Sequence, residues 1–465
     1  MTDKRQDNHY SAPDDRRFVA PWEPAFERFV TPFEQFIHHQ TTSGILLMVC
    51  AVLALLLANS PFAEAYLHFI HTPIAIRFGD WALDKSLQHW INDALMAMFF
   101  FVVGLEIKRE VLVGELARPR QAALPIIAAL GGMLVPALLY YLLNPDGIAA
   151  RGWGVPMATD IAFAVGALVL LGARIPRTLI MFLVALAIVD DLGAVLVIAL
   201  FYTEQLAPGF LVIAALLCVM LIALNLGGVR APLPYLLLGV LLWFAMLQSG
   251  IHATLAGVLL ALTIPARPKF DPARFATHVR TLIERFDTAH RSDPNILTNE
   301  TLHNIAQRLG NDALLVETPL QRLERVWHLP VALLVIPLFA LANAGIPIDF
   351  TTLPSTLSHP VTLGVVAALV CGKFIGITGA SWLALRLGIG QLPAGTTLSQ
   401  LAGVGLLGGI GFTMSIFIAE LGFAAQPVLL LMAKTGILCA SLCAGALGYV
   451  WLLWVTRNHS VQMDV

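Results

Sequence analysis

The sequence predicts an all-α polytopic membrane protein, and three observations lead there. Fifty-eight per cent of its 465 residues are hydrophobic, only 12% are charged, and the mean hydropathy is +0.78. A soluble domain carries about twice that share of charge. A crossing needs roughly 20 mostly apolar residues, and twelve stretches qualify: 44–59, 88–107, 121–144, 154–172, 178–202, 207–226, 232–248, 252–266, 330–348, 361–385, 398–420 and 427–455. The net charge of −2 comes without a concentrated basic face, so nucleic acid is excluded as a partner and small ions are expected instead.

Twelve spans place both termini on one side. One set of short loops carries Lys108, Arg109, Arg118, Arg120, Arg174, Arg177, Arg230 and Arg386, whereas the opposite set carries only Arg77, Lys85 and Arg151. By the positive-inside rule the first set, and both termini, are cytoplasmic. Residues 1–35 open with MTDKRQDNHYSAPDDRRF, which has no apolar core for a signal peptide and reads as a cytoplasmic tail; 458–465 is its C-terminal counterpart. The twelve-helix domain is expected over 36–457.

Two stretches inside that range read as non-membrane. Residues 60–87 contain TPIAIRFGDWALDKS, alternating apolar and polar around Phe78-Gly79-Asp80, the pattern of an external β-hairpin. Residues 267–329 hold nine Lys/Arg and eight Asp/Glu, with helical periodicity in TLIERF and ETLHNIAQRLG, and read as a cytoplasmic insertion, part helical and part disordered. The five cysteines, Cys50, Cys218, Cys371, Cys439 and Cys443, lie in apolar stretches without CxxC spacing or a nearby His pair, so they read as small core hydrophobes.

Two spans look interrupted. The fourth opens GWGVPMATDIAFAVGA, with Gly152, Gly154 and Pro156 just ahead of Thr159 and Asp160. Glycine and proline weaken the helical hydrogen-bond ladder, so unwinding near Thr159 would expose backbone groups beside a carboxylate. The eleventh, GLLGGIGFTMSIF, places Gly405, Gly408, Gly409 and Gly411 ahead of Thr413. Interrupted spans at corresponding places in two halves point to a transport site, although small residues also serve helix packing alone. Asp160 favours the site, because a mid-membrane aspartate costs about 2.5–3.5 kcal/mol to insert.

The fifth span holds the strongest signal, Asp190 and Asp191 in ALAIVDDLGAVL. Adjacent helical residues point about 100° apart, so the pair cannot share one face. Their summed insertion cost is roughly 5–7 kcal/mol, and only two membrane cations stand ready to offset it: Lys373 in the tenth span and Lys434 in the twelfth. A purely structural Asp–Lys bridge accounts for one aspartate and leaves the other. At that second carboxylate a proton and a hard monovalent cation compete for the same oxygens, which suffices for exchange.

Taken together, WINDALMAMFFFVVGLEIKRE, GVPMATDIAFAVGAL, FLVALAIVDDLGAVLVIALFYT, SGIHATLAG, PLFALANAGI, CGKFIGI and GGIGFTMSIFIA resemble, in order, the segments of NhaA-type sodium/proton antiporters across nearly all of 36–457. The resemblance implies inverted-topology repeats with broken, crossing fourth and eleventh helices, around Pro156 and around Gly408, Gly409 and Gly411. It implies that Asp190, Asp191 and Thr159 bind the transported Na⁺, that Asp191 is the main cation and proton carrier, and that Asp160, at the broken helix, helps to bind the cation. Lys373 is implied to pair with Asp190, either as a structural partner or as a proton carrier. Glu106, Arg109 and Glu110, on one helical face by their spacing, together with His252, Glu324 and His328, match positions of pH response. An interfacial salt bridge explains the first three equally well, and a packed histidine explains His252. Gln321 and Arg325 depart from the family pattern, as does the length of 267–318. The external hairpin, 72–86, is implied to pair two protomers.

The expectation is therefore a pH-regulated, electrogenic Na⁺ (and Li⁺)/H⁺ antiporter of a bacterial inner membrane, working by alternating access, with no cofactor and no enzymatic chemistry. Two other readings stay open on residues alone. A sodium-coupled symporter would require an organic solute; an intramembrane aspartyl protease would require aspartates on two facing helices, whereas Asp190 and Asp191 are adjacent and no GxGD occurs.

Overall fold

In the computed structural model the described residues are 40–457, apart from 79–80, 204–205, 269–271, 294 and 350. The expected tails, 1–35 and 458–465, and the hairpin tip Gly79-Asp80 lie outside them. Nearly everything else is helix, as the absence of water requires: a backbone crossing lipid has to satisfy its own polar groups.

The described residues begin with α1 (Gln40–Ala58), which turns through 118° into the short α2 (Ala63–Ile70). Strands β1 (Pro73–Phe78) and β2 (Trp81–Ser86) then pair antiparallel, with Ile74 opposite Lys85 and Phe78 opposite Trp81. The hairpin is tied to the next helix, α3 (Leu87–Val113), by Trp90 Nε1 donating to the Ile74 carbonyl at 3.1 Å. Helix α4 (Pro119–Leu143) follows, then a ten-residue 3₁₀ segment, Ile148–Met157, and α5 (Ile161–Val169). Next come α6 (Arg177–Phe201), α7 (Pro208–Leu226), α8 (Pro232–Ser249) and α9 (Leu255–Thr263). Helices α10 (Pro272–Ser292) and α11 (Glu300–Val316) pack on each other and lead into α12 (Pro319–Asn343). The chain closes with α13 (Leu353–Ser358), α14 (Pro360–Arg386), α15 (Leu398–Leu407), α16 (Phe412–Gly422) and α17 (Pro427–Arg457).

Among the described residues nine helices are long and apolar enough to cross, and the count reaches eleven if each of two bent pairs, α1 with α2 and α15 with α16, is one span. The remaining expected span, the eighth (252–266), contains only α9. Nine residues extend roughly 13.5 Å, less than half of a hydrocarbon core. Its carbonyl end is satisfied from outside the helix: Lys108 Nζ donates to the carbonyls of Leu262 (2.7 Å) and Ile264 (2.5 Å), and Asn225 Nδ2 to that of Thr263 (2.7 Å).

Three expectations change. The described part of the insertion holds two helices, α10 and α11, joined by turns, and its last eleven residues, 319–329, belong to the first turns of α12 and not to the insertion. None of the five cysteines is fully buried: Cys371 and Cys443 are exposed and the other three are half-buried, Cys218 against a hydrophobic cluster. The glycines ahead of Thr413 act through space and not through dihedral freedom, since none of them has a positive φ. A Cβ on Gly408 would meet Ile377, one on Gly409 the Leu369 carbonyl and one on Gly411 the Ser415 hydroxyl.

The same device brings α4 and α14 into backbone contact. Gly131 and Gly376 face each other so closely that a Cβ on either would strike the other's carbonyl oxygen, while Gly379, a turn away on α14, faces open space. Gly376→Leu is therefore expected to cost about 1–3 kcal/mol by overpacking, and Gly379→Leu less than about 0.5 kcal/mol. Thermal melting of the two purified variants checks this; equal melting temperatures would refute the contact.

Candidate ion-binding site

The two interrupted spans touch where they are interrupted. Between the 3₁₀ segment and α5 the chain runs Ala158-Thr159-Asp160 without helical structure, and between α15 and α16 it bends by 47° through Gly408–Gly411. Asp160 N donates to the Ile410 carbonyl at 2.7 Å, so one break is hydrogen-bonded to the other. The Asp160 side chain completes the join. Its Oδ1 accepts from Phe163 N (3.1 Å), capping α5, while Oδ2 accepts from Thr413 N (3.0 Å) and Thr413 Oγ1 (2.5 Å) in the first turn of α16. One carboxylate thus serves two helix N-termini, each of which presents unpaired N–H groups and the positive end of a dipole.

The 3₁₀ segment is held by two tyrosines. Tyr140 OH donates to the Ala149 carbonyl (2.9 Å) and Tyr202 OH to that of Arg151 (2.7 Å), while Gly154 N donates to Tyr202 OH (3.2 Å). Gly152 and Gly154 leave room for those phenols, since a Cβ on either would collide with the ring above it. Pro156 is buried within the segment.

On α6, Asp190 and Asp191 have no exposed surface. Asp190 Oδ2 lies 2.5 Å from Lys373 Nζ and 2.8 Å from Thr159 Oγ1, and Lys373 Nζ also donates to Thr159 Oγ1 at 3.0 Å. Thr159 Oγ1 is in addition 3.0 Å from the Gly408 carbonyl. A hydroxyl has one proton, so it donates to Asp190 or to Gly408 but not to both. The lysine reaches inward from α14 directly after a π turn, Ala368–Gly372, whose extra residue resets the facing of the helix. Asp191 points elsewhere. Both of its carboxylate oxygens, and Asp190 Oδ1, are buried without a hydrogen-bond partner among the described residues. Three orphaned acceptors in one place fit a cationic guest or a proton, because an ionised carboxylate left that way is costly.

The chemistry-bearing residues at the ends of α3 and α12 form a second cluster. Arg109 Nη1 is 2.6 Å from Glu324 Oε1 and its Nη2 3.3 Å from Glu110 Oε1, and His328 Nδ1 is 3.3 Å from Glu106 Oε1. Five of the six candidate pH-response residues are therefore in one network. His252 stands apart, its ring edge-on to Phe417 of α16 at 6.5 Å. Lys434, considered a possible partner of the aspartate pair, is instead 2.5 Å from Glu420 Oε1 on α16. Glu420 was the missed acid: it closes an apolar run, where a carboxylate reads as the edge of a span.

Comparison with known proteins gives the family. The family model for Na⁺/H⁺ antiporter 1 matches residues 34–452. The chain belongs to that family. A Na⁺/H⁺ antiporter NhaA 1 of Saccharophagus degradans is 54% identical, covering 95% of both chains. The Na⁺/H⁺ antiporters NhaA of Sulfurimonas denitrificans and Acidithiobacillus ferrooxidans are each 53% identical, covering 95% and 92% of this chain and 99% and 98% of theirs. Members of this family are secondary transporters and not enzymes, and this one is a multi-span membrane protein.

The buried pair gives a stability test. Lys373→Met leaves a carboxylate without its ammonium and should cost about 3–5 kcal/mol, most of it recovered in Lys373→Met/Asp190→Asn. Melting temperatures of the four proteins of this cycle measure the coupling, and additive losses would mean the two side chains act independently.

Proposed function

We propose that the protein exports Na⁺, and Li⁺, across a bacterial inner membrane in exchange for protons. The observation that supports this most is the asymmetry of the adjacent aspartates at the junction of two interrupted spans, one paired with a lysine and the other with two orphaned oxygens, in a chain of this family. Asp191, Asp190 and Thr159 make the cation site. Asp160 supports it by holding the two breaks together, since its own oxygens are engaged.

The cycle begins on the cytoplasmic side, where both termini and the Arg109–Glu324 cluster lie. A cation displaces protons from the aspartates, and Thr159 turns its hydroxyl proton to Gly408 so that its oxygen faces the cation. Lys373 holds Asp190 when no cation does, and its proton can leave in the same exchange. The paired breaks, counterparts in two inverted-topology repeats, then re-expose the site to the far side, where protons reload it. More protons than cations move per cycle, so transport is electrogenic. Glu106, Arg109, Glu110, Glu324 and His328 link α3 to α12 beside the cytoplasmic entrance, and protonation of this network sets the pH response.

Two protomers join through the hairpin 72–86, whose two strands leave a free edge on each side for strand addition. Deleting 73–86 should leave monomers, measured by light scattering in detergent, with exchange retained.

Everted vesicles holding an acid interior and a pH-sensitive dye test the exchange itself. Adding Na⁺ or Li⁺ should release protons with the wild type, and Asp191→Asn should abolish the response. Thr159→Val should raise the half-maximal Na⁺ concentration about tenfold, the loss of one polar ligand to a charge. Full activity of Asp191→Asn would sink the mechanism.

A further inference from the structure

Among the described residues two lysine–carboxylate pairs lie within the helical bundle, and the exchange cycle uses only one. Lys434 Nζ and Glu420 Oε1 are as close as Lys373 Nζ and Asp190 Oδ2, 2.5 Å, but the side chains keep 11% and 15% of their surface where the inner pair keeps none. Glu420 is seven residues beyond Thr413 on α16, two turns along the same face and roughly 10 Å from the Asp160 contact. One amide reaches it and leads to two more. Gln88 Nε2 is 3.5 Å from Glu420 Oε1 and 3.0 Å from Asn343 Oδ1, and Asn343 exchanges hydrogen bonds with Asn92 at 2.8 and 3.3 Å.

This network joins α3, α12, α16 and α17 at the hairpin end of the molecule. Asn92, within the π turn Ile91–Leu95, precedes Glu106 by fourteen residues, or roughly 21 Å of helix. It is therefore far from the Arg109–Glu324 cluster. A brace between helices needs no charge, and a charged pair with so little water contact is more costly than amides would be. An ammonium held by a carboxylate is, however, a tethered monovalent cation. A diffusing cation can replace it, and the charge around Glu420 stays unchanged when the Lys434 ammonium releases its proton to the water that reaches the pair as the cation enters.

We propose that Glu420 is a second station for a hard monovalent cation, between the aspartate pair and the hairpin side, with Lys434 as its resident counter-ion and the Gln88 amide beside the carboxylate linking it to Asn343. This rests on the reading of the protein as a Na⁺/H⁺ exchanger.

The test uses the full chain in right-side-out and everted vesicles, titrating Na⁺ from each side. Wild-type exchange in both orientations tests the exchanger reading by itself, before any variant is compared. Two variants are needed: Glu420→Gln, and Glu420→Gln/Lys434→Met, which leaves no lone ammonium and so protects folding. Both should raise the half-maximal Na⁺ concentration about fivefold or more from the hairpin side and less than about twofold from the other. No change from either side in the double variant, or equal change from both sides, would overturn the proposal; equal change together with a lower melting temperature would make the pair a brace.

Discussion

Lys373 and Asp190 meet with no exposed surface on either side chain, and much of the surrounding architecture serves the cost of burying that pair. Neither charge could stand alone there, since separating a buried pair leaves an uncompensated ion. The lysine reaches the pair because a π turn re-aims α14 and because Gly131 and Gly376 let α4 and α14 approach to backbone contact. Thr159 reaches it because the fourth span is not helical at that residue, and the span can stop there because its polar groups are answered by the other break.

Asp160 and Asp190 show how one residue type in one membrane performs different work. Asp160 takes hydrogen bonds from two helix starts and is satisfied within the protein. Asp190 shares one oxygen with a lysine and a hydroxyl and leaves the other free, and Asp191 leaves both free. Satisfaction therefore falls from Asp160 to Asp190 to Asp191. In a low-dielectric interior that order also ranks how readily each accepts a proton or a cation from outside. Fixed polar groups hold the breaks, and the unfixed ones keep their acceptors free.

The residues near the ends of α3 and α12 follow a different economy. They are partly exposed, paired across two helices, and include a histidine whose partner is a carboxylate. Such pairs add little to stability at a wet surface, yet they couple the two helices in a way that protonation alters.

Membrane residence, most spans, the hairpin strands and the choice of Asp190, Asp191, Asp160, Thr159 and Lys373 as polar residues costly to bury were legible in the sequence. They are so because charge in an apolar run is costly enough to be read one residue at a time. Which partner each charge takes was not legible: Lys373 and Lys434 look alike as lysines in apolar helices, and only the packing of α14 against α4 and of α17 against α16 sends one to Asp190 and the other to Glu420. The glycines of GLLGGIGF announced a break, but their role as space for neighbouring atoms depends on what lies opposite. The short α9 reads as a full span by hydropathy, and its early end is set by carbonyls that Lys108 and Asn225 satisfy from other helices. Composition and local pattern decide what a residue costs to bury; only the assembled helices decide which groups meet that cost.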